Sequence, residues 1–187
     1  MQVVQLENKL LALIRRGFTS LDVTSLSTLF KAIIRPHLEY GNVIWHPRYK
    51  ADEELLESVQ RRMTKLLPQL RLLDYEERLK KLNIPSLYYR RSRGDMIECY
   101  KYLHGLYKVT HDILPRDTKT KTRGHSYKLL KPSVQTSVRE NFFSVRVVNP
   151  WNSLPEEVVS APSINILKSK LNKVWDTHKY TLSSEWF

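Results

Sequence analysis

An amphipathic pattern that runs without interruption over residues 51–67 sets the strongest limit on the fold. Apolar side chains recur there at intervals of three and four residues, as one face of an α-helix requires. They are Leu55, Leu56, Val59, Met63, Leu66 and Leu67. Acidic residues crowd the first turn and basic residues the last, which is the order that the helix dipole favours. The pattern predicts a mainly α fold.

Further helices are expected on both sides of this one. Their predicted boundaries are polar capping residues at the starts, and glycine, asparagine, proline or the last apolar residue at the ends. The expected starts are Ser20 or Asp22, Asp74, Ser86 and Ser163, and the expected ends are Gly17, Pro36, Asn83 with Pro85, and Trp175. Pro36 should stop its helix or lie just past the end, because proline cannot donate a backbone hydrogen bond.

The composition changes near residue 108, and this change predicts the domain organisation. Residues 1–107 are expected to form a helical bundle. Residues 108–140 carry many cations and little periodicity, which is typical of a flexible basic loop. Residues 141–187 should form a C-terminal extension in which "NFFSVRVVNPW" is strand-like and a terminal helix follows.

The stretch "RVVNPWNSLPEEVV", residues 146–159, carries two adjacent glutamates that raise the question of catalysis. Neighbouring helical residues point about 100° apart, so Glu156 and Glu157 do not converge on a substrate. Ser153 and Glu156 instead fit a capping box, S-x-x-E, that starts a helix. Trp151 is the expected apolar anchor ahead of it. Two asparagines, Asn149 and Asn152, suit turn positions with unusual dihedral angles.

A stripe of large side chains on the helix after Ser86 is interpreted as core. Its members fall on one face of the helix: Tyr89, Met96, Tyr100, Leu103 and Tyr107. The alternative is a platform on which nucleic-acid bases stack. The single cysteine, Cys99, lies in the same helix and is expected to be a buried, inert thiol.

No constellation for catalysis, metal binding or cofactor binding is found in the sequence. The acidic clusters lie at helix starts or on helix surfaces, and no Asp-Asp pair occurs for two-metal chemistry. The six histidines are scattered, and no glycine-rich phosphate loop is present. We therefore expect no catalytic residue, no metal, no cofactor and no small-molecule substrate.

The formal net charge of +12 and the sequence pI of about 9.8 indicate a polyanionic partner, most commonly a nucleic acid, or simply a solvated basic surface. The N-terminus lacks the pattern of a signal peptide, and no apolar run reaches the length of a membrane span. A soluble intracellular protein is expected, with nucleus and cytoplasm both open.

Several ordered blocks resemble one family. They are "IRPHLEYGNVIWHP" (34–47), "LESVQRRMTKLLP" (56–68), "LDYEERLKKLNIPSLYYRRSRGDMIECYKYLHG" (73–105), "RGHSYKL" (123–129) and "ENFFSVRVVNPWNSLPEEVVSAPSINILKSKL" (140–171). Together they are similar to the C-terminal region of reverse transcriptases from non-long-terminal-repeat retrotransposons, also called LINEs, in the chicken-repeat and jockey-like clades. The resemblance covers residues 3–176.

The resemblance implies a role. Residues 1–107 would correspond to the helical thumb, which grips the template–primer duplex, and the remainder to the region after the thumb. The catalytic aspartates of that family lie upstream in the palm, so the chain resembles a fragment of an RNA-directed DNA polymerase that is not an enzyme by itself. Low-specificity binding to RNA or an RNA–DNA duplex is expected from basic residues, as phosphate contacts: Arg61, Arg62, Lys65, Arg90, Arg91, Arg93 and Arg123.

Other interpretations of the same residues stay open. In one of them, the basic residues are ordinary charges on helix surfaces, and some are paired with acidic residues. The chain would be a protein-interaction module that uses exposed aromatic side chains, with the missing palm and fingers domains as its partner, or a remnant without function. The aromatic residues concerned are Tyr88, Tyr89, Tyr102 and Trp45.

Overall fold

The structure is a computed structural model that describes residues 2–18, 20–108, 110–118 and 124–182, apart from the side chains of Gln2, Val3 and Leu6. Over these residues the chain is mainly helical, which confirms the predicted fold class. It divides into two compact units. The first contains the described residues up to Gly41 together with Pro47–Arg90 and Lys179–Leu182, and the second contains Asn42–His46 and Arg91–His178.

The first unit is built from amphipathic helices around one apolar core. Its helices are α1 (Gln2–Gly17), α2 (Val23–Leu29), α3 (Arg35–Glu39), α4 (Lys50–Thr64), α5 (Tyr75–Leu82) and the beginning of α6 (Leu87–Leu103). The predicted stripe of α4 supplies Val59 and Met63 to this core, and Leu67 follows just beyond the helix. All three side chains are fully buried, so the period-3.6 pattern of residues 51–67 has the predicted cause.

The helix that was expected to stop at Pro36 continues to Glu39. Between α2 and α3 the chain forms a π-helical segment, Phe30–Ile34, in which the Arg35 N–H donates to the Phe30 carbonyl. In a plain α-helix the Pro36 ring would clash with the carbonyl of Ala32 and remove its hydrogen bond. The wider π turn changes this spacing, and the chain stays helical through the proline.

Helix starts follow the predicted capping chemistry. Asp22 accepts the Ser25 N–H at 2.6 Å, and Asp74 accepts the Glu77 N–H at 2.8 Å. The same role is played by Ser86 Oγ for α6 and by Ser163 for the last helix. At the end of α5, Asn83 adopts the left-handed conformation (φ 48°), as a C-cap asparagine can.

The second unit contains the rest of α6 and a series of short helices. These are α7 (Ser137–Glu140), α8 (Phe143–Arg146), α9 (Val148–Asn152), α10 (Glu156–Val159) and α11 (Ile164–Val174). Within residues 108–140, Leu114, His125 and Leu129 are buried, and Arg116 and Leu129 form an isolated antiparallel bridge. The predicted mobility of this region stays a prediction.

The prediction of a strand-like segment at "NFFSVRVVNPW" is wrong, because the structure places α8 and most of α9 there. Valine and phenylalanine favour strands locally, but strand propensity spans only about 1 kcal/mol and depends on context. Here Val145, Val148 and Trp151 are all buried, at the three-residue spacing of a helix face. Their burial outweighs the local preference.

The predicted capping box of residues 153–156 is also wrong. Ser153 ends α9, and its hydroxyl donates to the Pro150 carbonyl at 2.8 Å, while Pro155 precedes α10. The Glu156 carboxylate accepts the N–H and the hydroxyl of Ser126 at 2.6 and 2.8 Å. The Glu156 carboxylate, which a capping box would use locally, therefore binds Ser126, a residue distant in the sequence.

Asn149 and Asn152 lie in α9 with helical geometry, so the turn conformations predicted for them are not formed. Asn152 has a different role. Its side-chain amide donates to the Leu129 carbonyl at 2.9 Å, and its Oδ1 accepts the Leu129 N–H at 2.8 Å. The side chain thereby satisfies both backbone groups of a buried residue. Trp151 is fully buried, as predicted for the anchor of this stretch.

The core interpretation of the α6 stripe is confirmed for four of its members. Tyr89, Met96, Tyr100 and Leu103 are buried, whereas Tyr107, beyond the helix, is exposed. Cys99 is also buried, and this burial raises the pKa of its thiol, as expected of an inert cysteine.

Within α6, the chain passes from the first unit to the second between Arg90 and Arg91. The boundary that the sequence predicts after residue 107 stays a prediction. Among the helices of the described residues, none combines the length and the apolarity that crossing a bilayer demands.

Candidate nucleic-acid interface

A basic cleft lies in the first unit. It has a volume of about 540 Å³ and is lined by Arg15, Arg62, Lys65, Leu66 and Arg71. Four of these five residues carry a positive charge at neutral pH. Apolar atoms, from the stems of these side chains and from Leu66, make up most of the cleft wall. An anionic ligand beside this wall, such as a phosphate, can interact with more than one of the four cations.

The cleft forms where two helices end. Arg15 is in the last turn of α1, and Arg62 is in the last turn of α4. Lys65 is the C-cap of α4, and its N–H donates to the Arg62 carbonyl at 3.1 Å. Cations are stabilised at helix C-termini by the partial negative charge of the last carbonyls. The sequence therefore places these residues at helix ends for a local reason, and α1 and α4 pack together in the first unit.

Arg71 joins the cleft from the turn after the 3₁₀ segment Pro68–Leu70. Its Nε donates to the Lys65 carbonyl at 3.0 Å, a bond that satisfies one of the carbonyls at the end of α4. A guanidinium has five N–H donors, and this bond uses one of them. The contact orients Arg71 beside Lys65 in the cleft wall.

Arg61 is exposed and does not line this cleft. Its guanidinium carbon lies 4.8 Å from the centre of the Tyr75 ring, a cation–π distance. Tyr75 is itself buried and donates its hydroxyl to Glu57 at 2.6 Å, and burial together with the charge of Glu57 raises the pKa of that hydroxyl. Glu57 also accepts the Leu87 N–H at 3.0 Å, so Arg61 stacks on a well-anchored ring.

The three predicted arginines of α6 have partners inside the protein. Arg90 is ion-paired with Glu39, with Nη2 donating to Oε2 at 2.9 Å. Arg93 donates through Nε to the Asn172 side chain at 2.8 Å. Only 2% of Arg91 is exposed, so a phosphate contact would require its guanidinium to leave the interior. Arg123 lies outside the described residues.

Of the predicted binding residues, the structure thus brings Arg62 and Lys65 together in one cleft, and it adds Arg15 and Arg71, which sequence reasoning missed. The sequence could have indicated Arg15, because it is a basic residue in the last turn of a predicted helix, where the helix dipole stabilises cations. No comparable signal marked Arg71, because its place depends on how the chain turns after Pro68.

The aromatic residues of the interaction-module interpretation fall into two groups. Tyr88 and Tyr89 are buried, and the Tyr102 hydroxyl donates to the His111 carbonyl and accepts the Ile113 N–H. Trp45, by contrast, is 76% exposed. Of these four side chains, Trp45 is the most exposed.

Over the described part of the chain, no three histidine, cysteine, aspartate or glutamate side chains are grouped so as to hold a metal ion. Comparisons with protein-family models, with curated proteins and with solved structures found no match.

Proposed function

We propose that this protein binds RNA or an RNA–DNA duplex with low sequence specificity, through phosphate contacts made in the basic cleft. The observation that carries the proposal is that Arg15, Arg62, Lys65 and Arg71 all line one concavity. The formal net charge of +12 supports it, because a large positive charge attracts polyanions over a distance.

The chemistry of the cleft favours phosphate over other anions. A guanidinium can bind two phosphate oxygens through parallel N–H donors, and three of the four cations are arginines. Phosphate contacts fix the position of a nucleic acid but carry no sequence information. The expected behaviour is therefore strong dependence on salt and little preference between sequences.

The family resemblance agrees with this proposal and extends it. We propose that the chain corresponds to the thumb and post-thumb region of a non-long-terminal-repeat reverse transcriptase, in which the cleft would contact the template–primer duplex. Polymerase chemistry in that family depends on paired aspartates of the palm, and the sequence holds no Asp-Asp pair. The proposed role of this chain is duplex binding, without polymerisation of its own.

The test is a salt titration of binding to an RNA–DNA hybrid, with a double variant of the cleft, Arg62→Gln with Lys65→Gln. Each phosphate contact contributes roughly 0.9 to the slope of log K against log salt concentration, measured for B-form DNA. Loss of two contacts should lower the slope by about two and weaken binding at low salt. Hybrids of different sequence should bind with similar affinity.

A matched control removes two charges of the same unit that do not line the cleft, Lys31→Gln with Lys81→Gln; both lysines are exposed. The control should lower affinity slightly, through net charge alone, and keep the slope close to wild type. Equal slopes for the cleft variant and the control would refute the cleft as the binding site. Absence of binding by the wild type at low salt would refute the proposed function.

A further inference from the structure

Trp45 stands on a short segment of the second unit that exposes two large apolar side chains in succession. Ile44 is 79% exposed and Trp45 is 76% exposed. The other tryptophans that the structure describes, Trp151 and Trp175, are buried. Burial of a large apolar side chain provides roughly 1.5–3 kcal/mol, so a ligand that covers this exposed pair gains that free energy.

The backbone of this segment is held in place. Arg146 Nη2 donates to the Val43 carbonyl at 2.9 Å and to the Asn42 carbonyl at 3.3 Å. At the other end of the segment, the Asn141 side chain donates to the His46 carbonyl at 2.8 Å. Trp45 is therefore presented by a fixed backbone, and little backbone order is lost when a ligand binds.

Arg146 is itself anchored. Its Nε and Nη2 donate to the two carboxylate oxygens of Asp95 at 2.9 and 3.0 Å, and both side chains are almost fully buried. Its Nη1 donates to the Asn141 carbonyl at 2.9 Å. The buried guanidinium of Arg146 thus connects α8 to α6 and to Asn141, whose side chain binds the His46 carbonyl. Through these bonds it positions the backbone on both sides of Trp45.

Ile44 and Trp45 by themselves expose less surface than a stable protein interface covers. An aromatic side chain buries about 150–250 Å² when it is fully covered, whereas a stable protein–protein interface needs about 800 Å² on each partner. One indole ring is sufficient, however, to stack on one nucleic-acid base.

Charge favours the same ligand. The second unit carries more basic than acidic residues in its sequence. Within it, exposed Arg139 lies with its guanidinium carbon 5.0 Å from the ring centre of Phe142, which is 48% exposed and follows Asn141. Arginine beside an aromatic ring is a common element of surfaces that bind single strands.

We propose that Trp45 is a stacking platform for an unpaired base of a nucleic acid. The ring face would cover one base, Ile44 would contact its edge, and the net positive charge of the second unit would attract the backbone. This inference rests on the proposed function, because it takes a nucleic acid as the ligand, but it concerns base stacking and not the phosphate contacts of the cleft.

The test measures binding of the full chain to two probes, a short single-stranded RNA of mixed sequence and an abasic oligonucleotide of the same length and charge. Wild type should prefer the RNA, and quenching of tryptophan fluorescence by acrylamide should decrease when RNA binds. Trp45→Ala should lower the affinity for RNA about tenfold and leave the abasic probe unaffected, whereas Trp45→Phe should retain most of the preference.

The outcomes separate the two proposals. If Trp45→Ala keeps the wild-type preference for RNA over the abasic probe, the stacking proposal is wrong even when the cleft binds phosphate. If neither probe binds, the stacking proposal is wrong, and the salt titration with the RNA–DNA hybrid decides the proposed function separately. Self-association of the wild type that Trp45→Ala abolishes in sedimentation velocity would also overturn stacking, because Trp45 would then serve a contact between copies of the chain.

Discussion

Replacement of Arg146 by methionine should destabilise the protein strongly, because the change removes the hydrogen-bonded counter-ion of a buried carboxylate. The side chains of Arg146 and Asp95 are 11% and 6% exposed, and two charged hydrogen bonds of 2.9 and 3.0 Å join them. Removal of one partner of such a buried pair costs about 3–5 kcal/mol. We expect the free energy of unfolding of Arg146→Met to fall by this amount at neutral pH.

The expected loss comes chiefly from Asp95. Methionine fills most of the volume of the arginine stem, so the cavity contribution is small. The carbonyls of Val43 and Asn141 also lose their donor, but backbone carbonyls that water can reach recover part of the lost hydrogen bond. A double variant, Asp95→Leu with Arg146→Met, removes both charges and should regain much of the lost stability.

The loss should depend on pH in a defined direction. Burial raises the pKa of Asp95, while the hydrogen bond and the charge of Arg146, and more weakly the charge of Arg91, lower it. Without Arg146 the pKa of Asp95 in the folded protein rises further. At pH values between about 3.9, the pKa of the unfolded chain, and this raised pKa, the folded variant binds a proton that the unfolded chain releases. The stability of Arg146→Met should therefore decrease as the pH rises from about 4 through the raised pKa of the folded state.

Urea denaturation followed by circular dichroism at several pH values measures these effects. Lys173→Met, an exposed cation of α11, is the matched control and should change the stability by less than about 0.5 kcal/mol. A loss of less than about 1 kcal/mol for Arg146→Met at neutral pH would refute a buried, charged pair. An increase in the stability of the variant with rising pH would refute the expected protonation of Asp95.

Two further predictions concern the region around Trp151. Asn152→Ala should lower the free energy of unfolding by about 1–3 kcal/mol in urea denaturation, because the buried N–H and carbonyl of Leu129 lose their partner. An unchanged free energy of unfolding would show that water replaces the Asn152 side-chain amide. The N–H and hydroxyl of Ser126 lower the pKa of Glu156. The ionised carboxylate therefore stabilises the fold at pH values above the pKa of the unfolded chain, about 4.3. This stabilisation disappears as the pH falls through the lowered pKa of the folded state. Glu156→Gln should therefore lose less stability than wild type between about pH 6 and pH 3, and identical pH profiles would contradict this role.

Helix starts could be predicted from the sequence because their chemistry is local. Asp22, Asp74 and Ser163 each accept an N–H three residues further along the chain, so the capping residue and its partner are in one short window. The amphipathic stripe of α4 is equally local, since burial of every third or fourth residue leaves its period in the sequence.

Local patterns failed where a distant partner decided the structure. The segment before Trp151 combines strand-favouring residues, yet burial of Val145 and Val148 on a helical face determines its conformation. The S-x-x-E motif at Ser153 looked complete, but Ser126, far away in the sequence, binds the glutamate. A window of a few residues cannot contain such a partner.

The candidate site shows the same division. Arg61, Arg62 and Lys65 were all predicted as phosphate contacts, and the cleft contains Arg62 and Lys65 but not Arg61. The burial of Arg91 depends on how α6 packs against the rest of the chain, and the position of Arg71 depends on a turn. Positive charge is visible in a sequence, but the direction in which each cation points is set by tertiary contacts.

The π-helical segment has a consequence for the length of the chain. Leu26, Phe30, Ile34 and Leu38 are all buried and are spaced four residues apart, although each step of four residues in an α-helix rotates about 40° past a full turn. The wider turn at Phe30–Ile34 absorbs part of that drift. If one exposed residue of this turn, such as Lys31, were absent, the four buried residues would be four, three and four positions apart. That is the spacing of residues on one buried face of an ordinary α-helix. This turn is therefore a point at which a related chain can be one residue shorter and still fill the same core.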